Sequence, residues 1–134
     1  MIWLIQGFFY EHLSATHFHG VVFNAEQPGA RVGTMQDTHG KSGLSEIHRS
    51  GRELTFIKKY AEGWEFKYTF YHWHDNIWVG KFTGDKSGQA FCVLTEVDYS
   101  LYDRDVGQVR INLQQLFKEL APKDLVPTSM QDQG

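Results

Sequence analysis

The sequence predicts an all-β fold: a closed antiparallel up-and-down barrel of about eight strands. Three observations favour this fold. Strand-like runs of alternating apolar and polar residues recur up to Val97, and each run ends at polar or glycine-rich residues. Every link between two runs is short, so neighbouring strands should pair antiparallel, because parallel pairs need long crossovers. Closing such a sheet into a barrel leaves no strand with an unpaired edge.

The first of four strand-like runs is rich in aromatic and branched residues, and turn-forming residues separate the four. They cover residues 2–10, 18–24, 31–36 and 44–48. Polar residues follow the first run, while Pro28 and Gly29 follow the second. Gly40 follows the third run and Gly51 follows the fourth, and these residue types are typical of turns. The pattern therefore predicts four strands joined by short links.

The next four runs continue the same pattern over residues 54–60, 64–73, 77–83 and 90–97. The sixth run alternates most clearly, because its odd positions 65 and 67 are charged and its even positions are aromatic: Trp64, Phe66, Tyr68 and Phe70. We expect this aromatic face to line the barrel interior. By the same parity, Trp78, Gly80 and Phe82 of the seventh run should face inward as well.

A helical pattern replaces the strand pattern near the C-terminus. Four apolar residues lie three, four and seven positions apart, on one face of an α-helix: Leu113, Leu116, Phe117 and Leu120. Asn112 suits the N-cap position, and Pro122 ends the helical segment. We therefore expect a short helix over about 112–121, packed against the outside of the barrel.

The composition fits one folded domain. The chain has 134 residues, of which 41% are hydrophobic and 15% aromatic, which excludes disorder for most of its length. We expect a single domain over 1–127 and a disordered tail over 128–134. The net charge of −3, without a basic run, argues against a nucleic-acid partner.

Two features of the sequence bear on the cellular location of the protein: its single cysteine and its N-terminal segment. Cys92 has no second cysteine with which to form an internal disulfide. The apolar run over 2–5 lacks a basic flank and is too short for a signal peptide or a membrane span. A cytoplasmic protein without membrane association is expected.

Two stretches carry a resemblance to a known superfamily. Trp78-Val79-Gly80-Lys81-Phe82, followed by Gly84, resembles the W-x-G-x-aromatic strand of avidin-type barrels. Residues 33–60 resemble uncharacterised bacterial lipocalin-like proteins, with Asp37-x-x-Gly40-x-Ser42 in a link and Phe56-x-Lys58-x-Tyr60 at a strand end. Over about residues 2–98 the chain is thus similar to the calycin superfamily, which includes the streptavidin-like and lipocalin-like small barrels. The first strand lacks the W-x-N-x-x-G-S arrangement of avidins, so biotin binding is not carried over.

The resemblance implies a small-molecule ligand in one mouth of the barrel, because ligand carriage is the common activity of calycins. In a meander, odd-numbered strands end and even-numbered strands begin at the same end of the barrel, so the links 11–17, 38–42, 61–63 and 84–88 lie together. The resemblance to avidins implies that this end is the open mouth. The expected ligand-binding residues are Lys58, Tyr60, Trp64, Phe66, Tyr68, Trp78 and Phe82. Asp37, Gly40 and Ser42 are expected to form a loop at the mouth, able to act as a lid.

Two features leave alternatives open. The aromatic face of the sixth strand suits either a ligand surface or a filled core, although buried Tyr and Trp need partners for their polar atoms. Lys58 shares the parity of inward-facing residues, where it would need an anion from a side chain or from an acidic ligand. Alternatively, Lys58 snorkels outward at a flaring strand end.

Histidine pairs and catalytic motifs give weaker signals. His17-x-His19 and His72-x-His74 each place two imidazoles on one strand face, but the topology puts the pairs at opposite ends. Exposed strand ends are the favoured interpretation, without a metal or other cofactor.

The chain contains no G-x-S-x-G elbow, P-loop or dinucleotide fingerprint, so no catalytic residue is assigned. The alternatives to a binding barrel are an interaction or structural barrel, such as a homodimer through its outer aromatic faces, and a barrel enzyme or haem protein.

Overall fold

A computed structural model describes residues 1–98 and shows the predicted closed barrel of eight antiparallel strands in chain order. A short 3-10 helix, Pro28–Ala30, lies in the link between the second and third strands. The strands are β1 (Ile2–Glu11), β2 (Ser14–Phe23), β3 (Val32–Asp37), β4 (Gly40–Ser50), β5 (Glu53–Tyr60), β6 (Glu65–His74), β7 (Ile77–Thr83) and β8 (Gly88–Val97). The helix predicted over 112–121 and the tail predicted over 128–134 lie outside the described residues.

The barrel closes through the pairing of its first and last strands. β1 pairs with β2 on one side and with β8 on the other, and Ile2 lies opposite Val97 in the second of these ladders. Each remaining strand pairs with its two sequence neighbours. Each strand of the barrel is therefore paired on both sides, although β3 pairs with β2 only over His19–Phe23.

Two glycines allow the strands to approach one another closely. A Cβ atom at Gly7 would overlap the carbonyl oxygen of Phe91, and one at Gly80 would overlap the carbonyl oxygen of Thr69. Gly7 lies opposite Cys92, while Gly80 lies between Phe70 and Ala90 on the neighbouring strands. Only glycine fits such close backbone approaches, which belong to the curvature of a small barrel.

Aromatic side chains fill most of the interior. The ring of Phe56 stacks on Tyr68 with centroids 5.2 Å apart, and Tyr68 stacks on Phe82 at 5.5 Å. Phe66, Tyr68, Trp78 and Phe82 are buried, which confirms that they face inward. The interior position expected for Trp64 is wrong, because β6 begins at Glu65 and Trp64 lies in the preceding link with 57% of its surface exposed.

The barrel is also buried on part of its outer face. Ile2 and Leu4 alternate with the inward-facing Trp3 and Ile5, yet all four are buried. The same holds on β2, where His17 and His19 flank the inward-facing Phe18. The expectation that this histidine pair lies at an exposed strand end is therefore wrong: the two side chains are only 6% and 7% exposed.

The segment that contains Asp37, Gly40 and Ser42 is a tight hairpin instead of the expected lid. Asp37 is the last residue of β3 and pairs with Gly40, the first residue of β4. Only Thr38 and His39 separate the strands, and the carboxylate of Asp37 accepts a hydrogen bond from the backbone N–H of His39. Ser42 lies in β4 and is buried. Because the turn between β3 and β4 is so short, no loop there is long enough to cover the mouth.

Within residues 1–98, no helix has the length and apolar character needed to cross a membrane.

Candidate functional site at the first mouth

The two ends of the barrel differ in the links that they carry. The links after β1, β3, β5 and β7 lie together at one end, here called the first mouth, as the sequence predicted. The links after β2, β4 and β6 lie at the other end, the second mouth. The expected ligand-binding residues should therefore lie at the first mouth.

A buried cluster of polar groups lies inside the barrel at the end of β3. The Oδ2 atom of Asp37 accepts hydrogen bonds from Nζ of Lys58 and from the hydroxyl of Tyr60, each at 2.6 Å. Its Oδ1 atom accepts from the backbone N–H of His39 at 2.7 Å. Neither the Asp37 nor the Lys58 side chain has any exposed surface. Asp37 is thus the anion that the inward-facing lysine requires.

Aromatic rings surround the ammonium group of Lys58. Its Nζ atom lies 4.8 Å from the ring centroids of Phe9 and Tyr60, and 5.5 Å from that of Tyr68. Burial lowers the pKa of Lys58 from its usual value, while Asp37 acts in the opposite direction. The ion pair and the ring faces together offset part of the cost of holding this charge away from water.

The tyrosine hydroxyls near this pair stay protonated. Burial raises the pKa of Tyr60, and its hydrogen bond to Asp37 and the negative charge of Asp37 raise it further. Burial likewise raises the pKa of Tyr68, with a smaller effect from Asp37. The Tyr60 hydroxyl is therefore a fixed hydrogen-bond donor to the carboxylate.

A cavity of about 100 Å³ opens at the first mouth. Three aromatic side chains form its apolar wall, and four polar or charged residues complete it. The lining residues are Glu11, His39, Tyr60, Trp64, Phe66, Asp85 and Lys86. The rings of Tyr60 and Phe66 meet edge to face with centroids 6.2 Å apart, so this wall is rigidly packed where it joins the core.

The structure brings only part of the predicted site together. Tyr60, Trp64 and Phe66 line the cavity. Lys58, Tyr68 and Phe82 are not among its lining residues; they belong to the buried interior, where Phe82 packs edge to face on Phe66. Trp78 is placed wrongly with this group, because it lines a different cavity at the second mouth. Because β7 starts at the second mouth, Trp78 lies at that end of the barrel, even though it faces inward as Phe82 does.

Four lining residues were not singled out as ligand-binding residues: Glu11, His39, Asp85 and Lys86. Each lies in, or directly next to, one of the links predicted to share this end of the barrel. The link assignment was therefore the signal that could have identified them. Glu11 and Lys86 also form an ion pair across the mouth, with Nζ and Oε2 3.7 Å apart.

The second mouth has a wider and more polar cavity, of about 290 Å³. Arg49 contributes to its wall, with its guanidinium carbon 5.2 Å from the ring centroid of Trp78 and its Nη1 atom 2.6 Å from Oε1 of Glu96. The guanidinium is thus already engaged by an aromatic ring and a carboxylate. This cavity is less suited than the first to an apolar ligand group.

The histidines do not assemble a metal site within the described part of the chain. No group of three or more His, Cys, Asp or Glu side chains there is arranged to hold a metal ion. His17 and His19 lie towards the first mouth on β2, whereas His72 and His74 lie at the second-mouth end of β6. Burial lowers the pKa of His17 to about 4. Burial, with a smaller contribution from His17, also lowers the pKa of His19 to about 4. Both imidazoles on β2 are therefore uncharged at neutral pH.

Comparison of the chain with protein-family models, with curated proteins and with solved structures gives no match.

Proposed function

We propose that this barrel binds a small, partly apolar molecule at the first mouth. The observation that carries the proposal is the cavity walled by Tyr60, Trp64 and Phe66 and bordered by charged residues. A concave apolar wall with a few polar groups converging on it is the usual form of a small-molecule site. Trp64 is 57% exposed beside it, which leaves much of a large aromatic surface available for a ligand to cover.

The dimensions of the cavity limit how much of the ligand enters. Its volume of about 100 Å³ is smaller than a cavity of roughly 150 Å³ that accommodates a benzene ring. Deeper entry is blocked, because Phe56, Tyr68 and Phe82 pack against one another in the interior. The bound molecule therefore inserts one small group between the aromatic side chains and leaves the remainder outside the barrel.

The charge of Lys58 does not dictate an anionic ligand. An unpaired lysine inside the barrel would require one, but the ammonium group here is 2.6 Å from the carboxylate of Asp37. Its surroundings are aromatic rings, and it has no exposed surface. Ligand selection therefore depends on the residues that line the cavity.

Titration calorimetry with matched variants tests the proposal. A panel of fatty acids, flavins, haem and aromatic acids, extended to small amines, covers ligands of different shape and charge. Trp64→Ala should weaken binding of any ligand at the first mouth, because the indole forms part of the cavity wall. Trp73→Ala is the control, since Trp73 is similarly exposed, at 65%, and lies near the second mouth. Equal loss of binding in both variants, or no binding by any compound, would overturn the proposal.

A second candidate function is self-association through the outer face of β6 and β7. Tyr71 and Val79 lie opposite each other in this ladder and are 48% and 39% exposed, and Trp73 continues the patch. Exposed aromatic residues grouped in this way are typical of interaction surfaces. Sedimentation equilibrium of the wild type and of Trp73→Ser tests it: dimerisation that the substitution weakens supports this function, and a monomer at all concentrations excludes it.

A further inference from the structure

The positive and negative charges of the residues that line the cavity are unequal in number. Glu11 and Asp85 contribute two carboxylates and Lys86 one ammonium group. Lys86 pairs with Glu11, and no ion pair found within residues 1–98 involves Asp85. His39 is the remaining polar lining residue, and its backbone N–H is already bonded to Asp37. The lining thus carries one carboxylate in excess beside three aromatic rings.

The charges beneath the cavity do not reverse this balance. Lys58 is the buried cation close to the first mouth, and Asp37 pairs with it at 2.6 Å. That pair is net neutral, so a ligand in the cavity is influenced mainly by the charges of the lining itself. The Tyr60 hydroxyl, one of the two polar groups of the aromatic wall with the indole N–H of Trp64, is engaged as a donor to Asp37. It is therefore not free to donate a hydrogen bond to an anion.

Two features of the cavity favour a positively charged ligand group: the aromatic rings of its wall and the carboxylate in excess. The π-face of an aromatic ring attracts cations, and indole is the most effective of the natural rings. Tyr60, Trp64 and Phe66 provide three rings around one small space, with Asp85 at its border. A quaternary or protonated amine satisfies both features, whereas a carboxylate or phosphate would meet the carboxylate of Asp85, with only Lys86, already paired with Glu11, to oppose it.

We propose that the group inserted at the first mouth is a small organic cation, an alkylammonium head group held between Tyr60, Trp64 and Phe66 and opposite Asp85. This rests on the proposed function, whose ligand class it names. The apolar surface of the head group contacts the rings, and its charge is balanced by the carboxylate without removal of either from solvent contact. The volume of about 100 Å³ suits a head group of this kind.

A pair of probes that differ only in charge tests the inference. Choline carries a quaternary nitrogen, and 3,3-dimethylbutan-1-ol has the same shape with a carbon atom in its place. We expect choline to bind roughly three- to thirty-fold more tightly than the alcohol, which is the range that a cation–π contact provides. Added salt should weaken the binding of choline alone, since it screens the attraction to Asp85.

A pair of variants isolates the contribution of the carboxylate. Asp85→Asn should weaken choline binding several-fold and leave binding of the alcohol unchanged, while Asp75→Asn at the second mouth should affect neither. If both probes bind equally, or the alcohol binds better, the cation inference is overturned and the proposed binding site stands. If neither probe nor any compound of the wider panel binds, the inference and the proposed function are both overturned. Far-UV circular dichroism confirms that each variant keeps its strands.

Discussion

The Nζ atom of Lys58 and the Oδ2 atom of Asp37 lie 2.6 Å apart in the interior of the barrel, with no exposed surface on either side chain. The two residues come from β5 and β3, which are not adjacent in the sheet, so their contact spans the interior across β4. Removing two charges from water is costly, and mutual attraction recovers that cost only with good geometry and further hydrogen bonds. Tyr60 and the backbone of His39 provide those bonds to the carboxylate.

Replacing one member of this pair should be more harmful than replacing both. Asp37→Leu leaves a buried ammonium group without its anion and should lower the free energy of unfolding by about 3–5 kcal/mol. Lys58→Met should have a comparable cost, whereas the double variant should be more stable than either single variant. Urea unfolding measures all three. Lys86→Gln, which removes an exposed ion pair, is the control and should cost no more than about 1 kcal/mol. Additive losses in the double variant would contradict the prediction.

Removing the hydroxyl of Tyr60 should destabilise the folded state without disturbing its packing. Tyr60→Phe keeps the ring against Phe66 but deprives the buried carboxylate of one of its three donors. Hydrogen bonds to charged groups contribute about 1.5–3 kcal/mol, which is the expected loss in the free energy of unfolding. Tyr71→Phe is the matched control, since Tyr71 is 48% exposed, and its midpoint should not change. Identical midpoints for the two variants would show that the buried hydrogen bond is not stabilising.

The close approach of strands at Gly80 predicts that a single methyl group is not tolerated there. Gly80→Ala places a Cβ atom against the carbonyl oxygen of Thr69, so the backbone must move, at a cost of about 1–3 kcal/mol or more. Gly43→Ala is a strand glycine with nothing within 4 Å of the added atom. It should be neutral or stabilising by up to about 1 kcal/mol. Thermal or urea unfolding of both variants makes the comparison, and equal stability would mean that the strands relax freely at Gly80.

The two buried histidines on β2 should make the protein less stable in mild acid. The pKa of each is lowered to about 4 in the folded state, from an ordinary value near 6.5. Between these values the unfolded chain binds protons that the folded protein excludes, so stability falls as the pH drops from about 6.5 towards 4. Urea midpoints measured across this range should decline for the wild type.

Substitution of these histidines should flatten that decline. His17→Gln and His19→Gln remove one titrating group each, and a variant that lacks both should show the weakest dependence on pH. His74→Gln is the control, because the His74 side chain is 73% exposed. A decline of equal size in the wild type and in the variant without His17 and His19 would assign the acid sensitivity to other groups.

The strand order of the barrel could be predicted because each of its signals is local. Period-two alternation identifies strands, and short links require antiparallel neighbours. Strand ends are harder to predict: Trp64 continues the even-numbered aromatic series, yet the ladder begins at Glu65. An aromatic residue just outside a strand has the same parity as one within it, so the pattern alone does not separate a wall residue of the mouth from a core residue.

The Asp37–Lys58 pair shows a different limit of the sequence. The inward parity of Lys58 was recognisable, and a partner anion was required, but Asp37 was assigned to a loop by its turn-forming neighbours. Asp37 shares the parity of the buried Met35 in the same strand, which would have placed it inside had the third strand been extended by one residue. Pairing across a strand depends on the tertiary register, which local propensities do not encode.

The prediction that His17 and His19 lie at an exposed strand end is wrong because this part of the outer face of the barrel is buried. Ile2 and Leu4, which alternate with Trp3 and Ile5, already indicate that the first strand is apolar on both faces. His17 and His19 lie on the adjoining strand, and His19 pairs with Gln6 across the ladder. An unbroken apolar run beside them was therefore the available signal.

The ladder between β1 and β8 has a consequence for how the chain folds. The β1–β2 hairpin joins residues close in sequence and can form as soon as both strands have been synthesised, but Ile2 meets Val97 only after the other strands exist. Contacts of such high sequence separation slow folding, because loop-closure entropy is lost before they form. Until that last ladder forms, β1 has an unpaired edge that can pair with a strand of another newly synthesised chain. We therefore expect the formation of this last ladder to influence both the rate of folding and the period during which the chain can misassemble.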